Sequence, residues 1–252
     1  ADDLPGLCAR LLHAGLDQEL KTLDTLLAHL QARFINLQRG DRAFEIGKAH
    51  YDLGNDLFQA MLGKRLVYSC GYWAAADNLD DAQAAKLDLV CRKLQLQPGQ
   101  RVLDIGCGWG EALKYAAENY GVSGVGITVS QEQAEFAREL CAGLPIEIRL
   151  QDYHDIDEPF DAVYSIGMFE HVGGKNYRAY FETVERCLKS GGLSLLHCIG
   201  TNSAPAQPDP WIEKYIFPNS MIPAATQVTA ALQGLFVVED WHNFGADYDR
   251  TL

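Results

Sequence analysis

The chain has 252 residues, 48% of them hydrophobic and 22% charged, enough for one large domain or one domain with an appendage around a sizeable core. A formal net charge of −13 argues against nucleic acid as the main partner, and against plain electrostatic docking on an anionic bilayer unless positive charge is concentrated locally. The seven cysteines (8, 70, 91, 107, 141, 187 and 198) are scattered with no C-x-x-C, which points to a reducing compartment and away from a disulfide framework or structural zinc.

Residues 7–37 read as a helix, because Leu16, Leu20, Leu23, Leu27 and Leu30 recur at three- and four-residue steps among polar side chains. No run of eighteen apolar residues occurs, so no membrane span is predicted. Residues 38–50 are polar and basic and read as a connector. The aromatic, polar stretch His50–Phe58 runs into a helix ending near Leu62, as either a lid or a capped surface helix. The stretch Leu66–Trp73 holds two tyrosines, a tryptophan and a cysteine about one glycine, either core packing or the wall of a ligand pocket. A helix over about 80–94, capped by Asn78 or Asp80, buries Leu87, Val90, Cys91 and Leu94.

From residue 101 strands and helices alternate. Strands are predicted at 101–105, 122–129, 146–150, 160–166, 193–199 and 235–241, with helices at 110–120, from Ser130, at about 174–188 and at 224–233. Apolar strands alternating with helices mean a mostly parallel sheet covered on both faces. Residues 201–223, rich in Pro, Asn and Ser, read as a long loop or lid.

Ligands of open parallel sheets bind beyond the carboxyl ends of the strands. After the first strand stands Asp104-Ile105-Gly106-Cys107-Gly108-Trp109-Gly110, a G-x-G-x-G turn running into a helix. It resembles the first motif of class I methyltransferases, which bind S-adenosylmethionine. The turn's backbone N–H groups suit the cofactor's carboxylate, a polar side chain after strand two (Thr128, Gln133) suits the ribose, and Asp152 with Tyr153 after strand three suits adenine. Ser130 and Gln133 also have capping-box spacing, which alone accounts for both. Glu170 and His171 follow the buried fourth strand, and His197 lies within the fifth; a histidine there is either a bonded core residue or part of a site. Convergence of Glu170, His197 and Tyr248 would make an anion or proton-transfer site. No metal is expected, since neither H-x-x-x-H nor H-E-x-x-H occurs.

Six stretches, His50–Phe58, Tyr68–Trp73, Val102–Gly110, Gly167–Tyr177, Asp209–Asn219 and Glu239–Asp249, resemble the cyclopropane fatty acid synthases, bacterial enzymes acting on phospholipid acyl chains. The resemblance runs over essentially the whole chain, and the mycolic-acid cyclopropane synthases share its core more loosely. It implies a class I S-adenosylmethionine-dependent methyltransferase fold, Rossmann-like, over 49–252, with 50–98 as a helical lid and pocket wall, preceded by a helical segment 1–48. It implies transfer of a methylene group from S-adenosylmethionine to the cis double bond of an unsaturated phospholipid acyl chain, through a carbocation deprotonated by bound bicarbonate. The bicarbonate cradle maps onto Cys70, Gly167, Glu170, His197, Ile199 and Tyr248. The cofactor contacts map onto Tyr68, Ser69, Asp104, Gly106, Gly108, Gly110, Thr128, Gln133, Asp152, Tyr153 and His171. Tyr177, Phe169 or Trp211 would offer an aromatic face to the cation. The implied setting is the cytoplasmic face of a bacterial membrane, held peripherally, with a homodimer in the full-length protein. Glu111 stands where the family commonly has a small residue, and a carboxylate is favourable at a helix N-terminus. The opening Ala1-Asp2-Asp3 lacks the features of a signal peptide. Both ends read as those of a fragment, short of an N-terminal lipid-binding and dimerisation part and of a last antiparallel strand. The alternatives are a methyltransferase that stops without ring closure or acts on a small amine, and a lipid-binding protein without catalysis.

Overall fold

The computed structural model describes Gly6, Arg10, Phe58, residues 61–202 and residues 220–251. The predicted helix 7–37, the connector, most of His50–Phe58 and positions 203–219, with Trp211, fall outside the described residues. The elements below all belong to the unit Gln38–Leu252.

Helix α1 spans Leu79–Lys93, and its cap is Asn78, whose side-chain oxygen accepts the Asp81 N–H. Then come β1 (Arg101–Ile105), α2 (Glu111–Tyr120), β2 (Ser123–Thr128), α3 (Gln131–Leu140), β3 (Ile146–Leu150), β4 (Phe160–Ile166), α4 (Tyr177–Cys187), β5 (Leu188–His197), α5 (Ala225–Leu232) and the short α6 (Tyr248–Thr251). Single 3-10 turns lie at Tyr153–Asp155, Phe169–His171 and Gly245–Asp247. All five strands are parallel, in the order β3-β2-β1-β4-β5.

The strand pleat assigns side chains to two apolar layers. Leu103, Ile105, Val163 and Phe160 face Tyr180, Phe181 and Val184 of α4 and Val228 of α5. Val102, Ala162 and Tyr164 face Val90 of α1, Leu113 of α2 and Ala134 of α3. Each fully buried aliphatic or aromatic side chain here contributes about 1.5–3 kcal/mol relative to exposure. Asp104 follows the pleat to the Val102 side, so its carboxylate is driven under α1 at only 2% exposure.

Two expectations are corrected. Strand β5 begins at Leu188, five residues before the predicted start, and carries Gly191 and Gly192 through a register irregularity opposite Phe160 and Ala162. A Cβ on Gly192 would sit 2.7 Å from the Asp161 carbonyl, so the strand passes there because that residue has no side chain. The apolar run 235–241 forms no strand: it makes no ladder with β5, Phe236 packs on the core, and Val237 is 85% exposed. No described helix is long and apolar enough to cross a membrane.

Candidate active site

The strand order reverses between β1 and β4, and a crevice opens beyond the carboxyl ends of strands at such a switch point. A cavity of about 170 Å³ lies there. Its floor is the turn after β1. Gly106 and Gly108 have φ of +84° and +54°, the left-handed region open to glycine. The amides of Gly106 and Cys107 both donate to the Ile127 carbonyl, at 2.9 and 3.0 Å, which folds the turn over the end of β2. Those two amides are therefore spent inside the protein and do not serve a ligand carboxylate. Gly110 is also corrected. It does not line the cavity; with φ of +90° it caps α2, and a Cβ there would lie 3.0 Å from Ala137 and 3.2 Å from the Cys141 sulfur. Its role is the close approach of α2 and α3.

The other residues expected to contact a cofactor meet around the cavity: Tyr68, Ser69, Asp104, Thr128, Gln133, Asp152, Tyr153 and His171 all line it with the two glycines. Asp104 Oδ1 is buried with no hydrogen-bond partner. Burial pushes this carboxyl up to about 7, against the pull of the Tyr164 hydroxyl and the Lys86 ammonium. Ser130 caps α3 by accepting the Gln133 N–H at 3.3 Å, but the reciprocal half of the capping box is missing. The Gln133 side chain instead accepts the Thr128 hydroxyl at 2.9 Å, so both polar groups are held at the cavity wall. Asp152 Oδ1 accepts the His154 N–H at 2.9 Å and lies 2.7 Å from His154 Nδ1. The Tyr153 ring stacks on that imidazole at 4.0 Å and meets Tyr180 edge-on, so it serves core and cavity together.

The second set of residues gathers beside the first. Gly167, φ +68°, lines the cavity, and its N–H donates to the His197 carbonyl at 2.9 Å, coupling β4 to β5. Glu170 Oε1 accepts the Ile199 N–H at 2.7 Å, while Oε2 is buried without a partner. The amide of Ile199 is thus occupied by Glu170, and the residue is 42% exposed. His197 Nδ1 is buried without a partner. Burial, then the nearby Lys86 charge, lowers its pKa to about 3, so the imidazole is neutral at physiological pH. The Tyr248 hydroxyl lies against the Cys70 backbone and within electrostatic reach of Glu170, and burial raises its pKa. The C-terminal turns are clasped onto the 70–73 stretch: Gly71 N–H donates to Thr251 Oγ1 at 3.1 Å, Trp73 N–H to Asp247 Oδ2 at 2.8 Å, and Arg250 sits over the Trp73 ring. The aromatic stretch thus has both roles foreseen for it: Tyr68 and Ser69 form cavity wall, and Trp73 is packing.

Two groups in the site are absent from the sequence reading. Lys86 lies wholly buried in the cavity wall, its Nζ donating to Ser69 Oγ at 2.8 Å. The signal was available, since Gln83 and Lys86 fall on the stripe of Leu87, Val90 and Leu94, and a lysine on a buried stripe is rarely idle. Arg65 forms an ion pair with Glu111, which also lines the cavity. The departure at Glu111 is therefore neutralised by a cation from the preceding segment, and Phe58, Leu62 and Leu66 pack on Trp109 beside it. Phe169 offers no cation a face: it is 0% exposed and stacked on Tyr177 at 4.3 Å inside the core.

A parallel sheet in this order, with a glycine turn under a cavity at its switch point, is the class I S-adenosylmethionine-dependent methyltransferase fold. The chain belongs to the mycolic acid cyclopropane synthetase family, whose sequence profile matches residues 38–252. It is 54% identical over 253 aligned residues to cyclopropane-fatty-acyl-phospholipid synthase of Escherichia coli (strain K12), covering 100% of this chain and 66% of that protein. The chain thus spans a little under two thirds of that relative's length. Among solved structures, a mycolic acid cyclopropane synthase complexed with S-adenosylhomocysteine superposes with a TM-score of 0.76 at 34% identity, covering 82% of this chain and 80% of that one. Coclaurine N-methyltransferase, bound to N-methylheliamine and S-adenosylhomocysteine, superposes with a TM-score of 0.80 at 29% identity, covering 99% and 77%.

Proposed function

We propose that this protein transfers a methylene group from S-adenosylmethionine to the cis double bond of an unsaturated phospholipid acyl chain, closing a cyclopropane ring. The observation that carries the reading is the junction of two sites at Ser69–Cys70 and Gly167: a cavity at the sheet's switch point and, beside it, a buried carboxylate with a half-buried imidazole and phenol. The orphaned Oδ1 of Asp104 fits the ammonium of an amino-acid cofactor, and the Thr128–Gln133 and Asp152–Tyr153 pairs fit its ribose and base. When bound, S-adenosylmethionine supplies an electrophilic methyl group. Ser69 and Asp104, which line the cavity, would hold its amino-acid end.

The neighbouring residues fit a small oxyanion that carries one proton, and bicarbonate has that chemistry. Glu170 Oε2 offers an acceptor to its O–H, while neutral His197 and the Tyr248 hydroxyl offer donors. When bound, bicarbonate supplies the base. Glu170 also braces the Ile199 amide, and Cys70 positions Tyr248 through its backbone. Burial keeps Glu170 above the usual carboxylate range, which favours sharing a proton over repelling an anion. Contact with the membrane surface through residues 4–48, and a homodimer of the whole protein, belong to the same reading.

The test is a product assay with S-adenosylmethionine, bicarbonate and vesicles of monounsaturated phospholipid, followed by mass spectrometry of the acyl chains. A gain of one CH₂ with loss of the olefin is expected, and Glu170→Gln should lower the rate about 10²–10⁴-fold with the fold kept. Bound cofactor with unchanged lipid would favour a small-amine methyltransferase, as in coclaurine N-methyltransferase. Absence of cofactor binding would overturn the reading outright.

A further inference from the structure

Helix α1 turns two polar side chains inward, and both hold one residue. Gln83 Nε2 donates to the Ser69 carbonyl at 2.8 Å, and Lys86 Nζ donates to the Ser69 hydroxyl at 2.8 Å. Lys86 is 0% exposed, and an ammonium removed from water costs several kcal/mol unless its surroundings answer it. Its surroundings do so only in part. Asp104 and Cys70 lie within electrostatic reach, and burial lowers the ammonium to about 7. Packing does not need this charge, since the same stripe is filled elsewhere by Leu87, Val90 and Cys91.

The hydrogen bond has a directional consequence. While protonated, Lys86 is donor only, so it occupies a lone pair of Ser69 Oγ and leaves the Ser69 O–H to find an acceptor elsewhere. Ser69 lines the cavity, opposite Gly167, where a Cβ would lie 3.8 Å from the Ser69 Cβ. The glycine turn, meanwhile, has already spent the Gly106 and Cys107 amides on Ile127.

We propose that Lys86 is a positioning residue for the carboxylate end of the cofactor: by donating to Ser69 Oγ it commits the Ser69 hydroxyl to act as a donor into the cavity. This rests on the reading of the cavity as a sulfonium-nucleoside site. It is tested by calorimetric titration with two ligands, S-adenosylhomocysteine, which has the amino-acid end, and 5′-methylthioadenosine, which lacks it. Lys86→Met and Ser69→Ala should each weaken S-adenosylhomocysteine about tenfold, the worth of one hydrogen bond, and leave 5′-methylthioadenosine unchanged. The double variant should lose no more than either single one, because Lys86 acts through Ser69. Equal weakening of both ligands, unchanged affinity for S-adenosylhomocysteine, or losses that multiply in the double variant would each overturn the proposal. If Lys86→Met does not fold, Lys86→Leu, which likewise has no donor, carries the same comparison and must show the same selective loss. Failure of the unsubstituted protein to bind either ligand would instead reject the sulfonium-nucleoside reading.

Discussion

Alanine at Gly106 and alanine at Gly108 should damage this protein in different ways, although the glycines are two residues apart in one turn. At Gly106 a Cβ would lie 2.7 Å from both Cβ and Cγ of Met168, and φ is +84°. Rotating the methionine does not relieve the contact, because its Cβ moves only with the backbone, and its carbonyl is engaged by the His171 N–H at 2.9 Å. A left-handed conformation costs an L residue about 1–2 kcal/mol, and overpacking about 1–3 kcal/mol more, so Gly106→Ala should lose roughly 2–5 kcal/mol. At Gly108 φ is +54° and nothing lies within 4 Å, which leaves only the conformational cost of about 1–2 kcal/mol. The space its methyl would take is open and beside the cavity, so S-adenosylhomocysteine affinity should fall while most of the stability remains. Urea unfolding reads the first effect as a midpoint lowered by about 1–2.5 M for Gly106→Ala, at a slope near 2 kcal/mol/M. Calorimetry reads the second. Equal midpoints for the two variants, or a larger loss for Gly108→Ala, would refute the packing argument.

His197 should leave a signature in the pH dependence of stability. Its folded pKa, about 3, lies below the ordinary value near 6.5, so the unfolded chain binds the extra proton between those limits. The neutral imidazole's contribution is complete above about pH 6.5 and is lost as pH falls, at up to about 1.4 kcal/mol per pH unit. The difference in unfolding free energy between the protein and His197→Gln should therefore shrink from about pH 7 to about pH 5; parallel profiles would contradict the buried, neutral assignment. At the opposite wall, Arg65→Ala strips the partner from Glu111, whose side chain is 9% exposed against 33% for the arginine. The loss should be about 1–3 kcal/mol, less than for a fully buried pair because Arg65 is partly solvated. Adding Glu111→Ala should restore most of it in urea unfolding, and a double variant no more stable than Arg65→Ala would show that the pair is not the cause.

The parts legible in the sequence were those set by local chemistry. Strands β1 and β4 fall where short, mostly apolar runs are bounded by glycine, proline or polar residues, β3 where apolar and charged residues alternate after Pro145, and Asn78 caps α1 as its amide predicts. Thr128, Gln133, Asp152 and Tyr153 could be grouped from strand order, because they stand at or just past a strand's carboxyl end and parallel strands bring those ends to one edge, whereas Tyr68 and Ser69 precede the sheet and came only from the family resemblance. Gly110 misled because the G-x-G-x-G spacing identifies a tight turn without saying which glycine meets the ligand and which meets a neighbouring helix. The run 235–241 misled because apolar periodicity reports the wish to be buried, and pairing with a neighbour is a separate matter.

The alternation of strand and helix, the glycine turn and the set of polar residues available at the strand ends are local properties of the chain. Those depend on propensity and periodicity, which act within a few residues. Which of these groups engage one another is set by the packing of distant segments. Glu170 is bound to Ile199, Gln133 is turned from its own helix cap to Thr128, and Lys86 reaches from α1 to Ser69. These are contacts between elements, and burial makes each of them consequential: away from water, a polar group must be answered by whichever neighbour the packing brings.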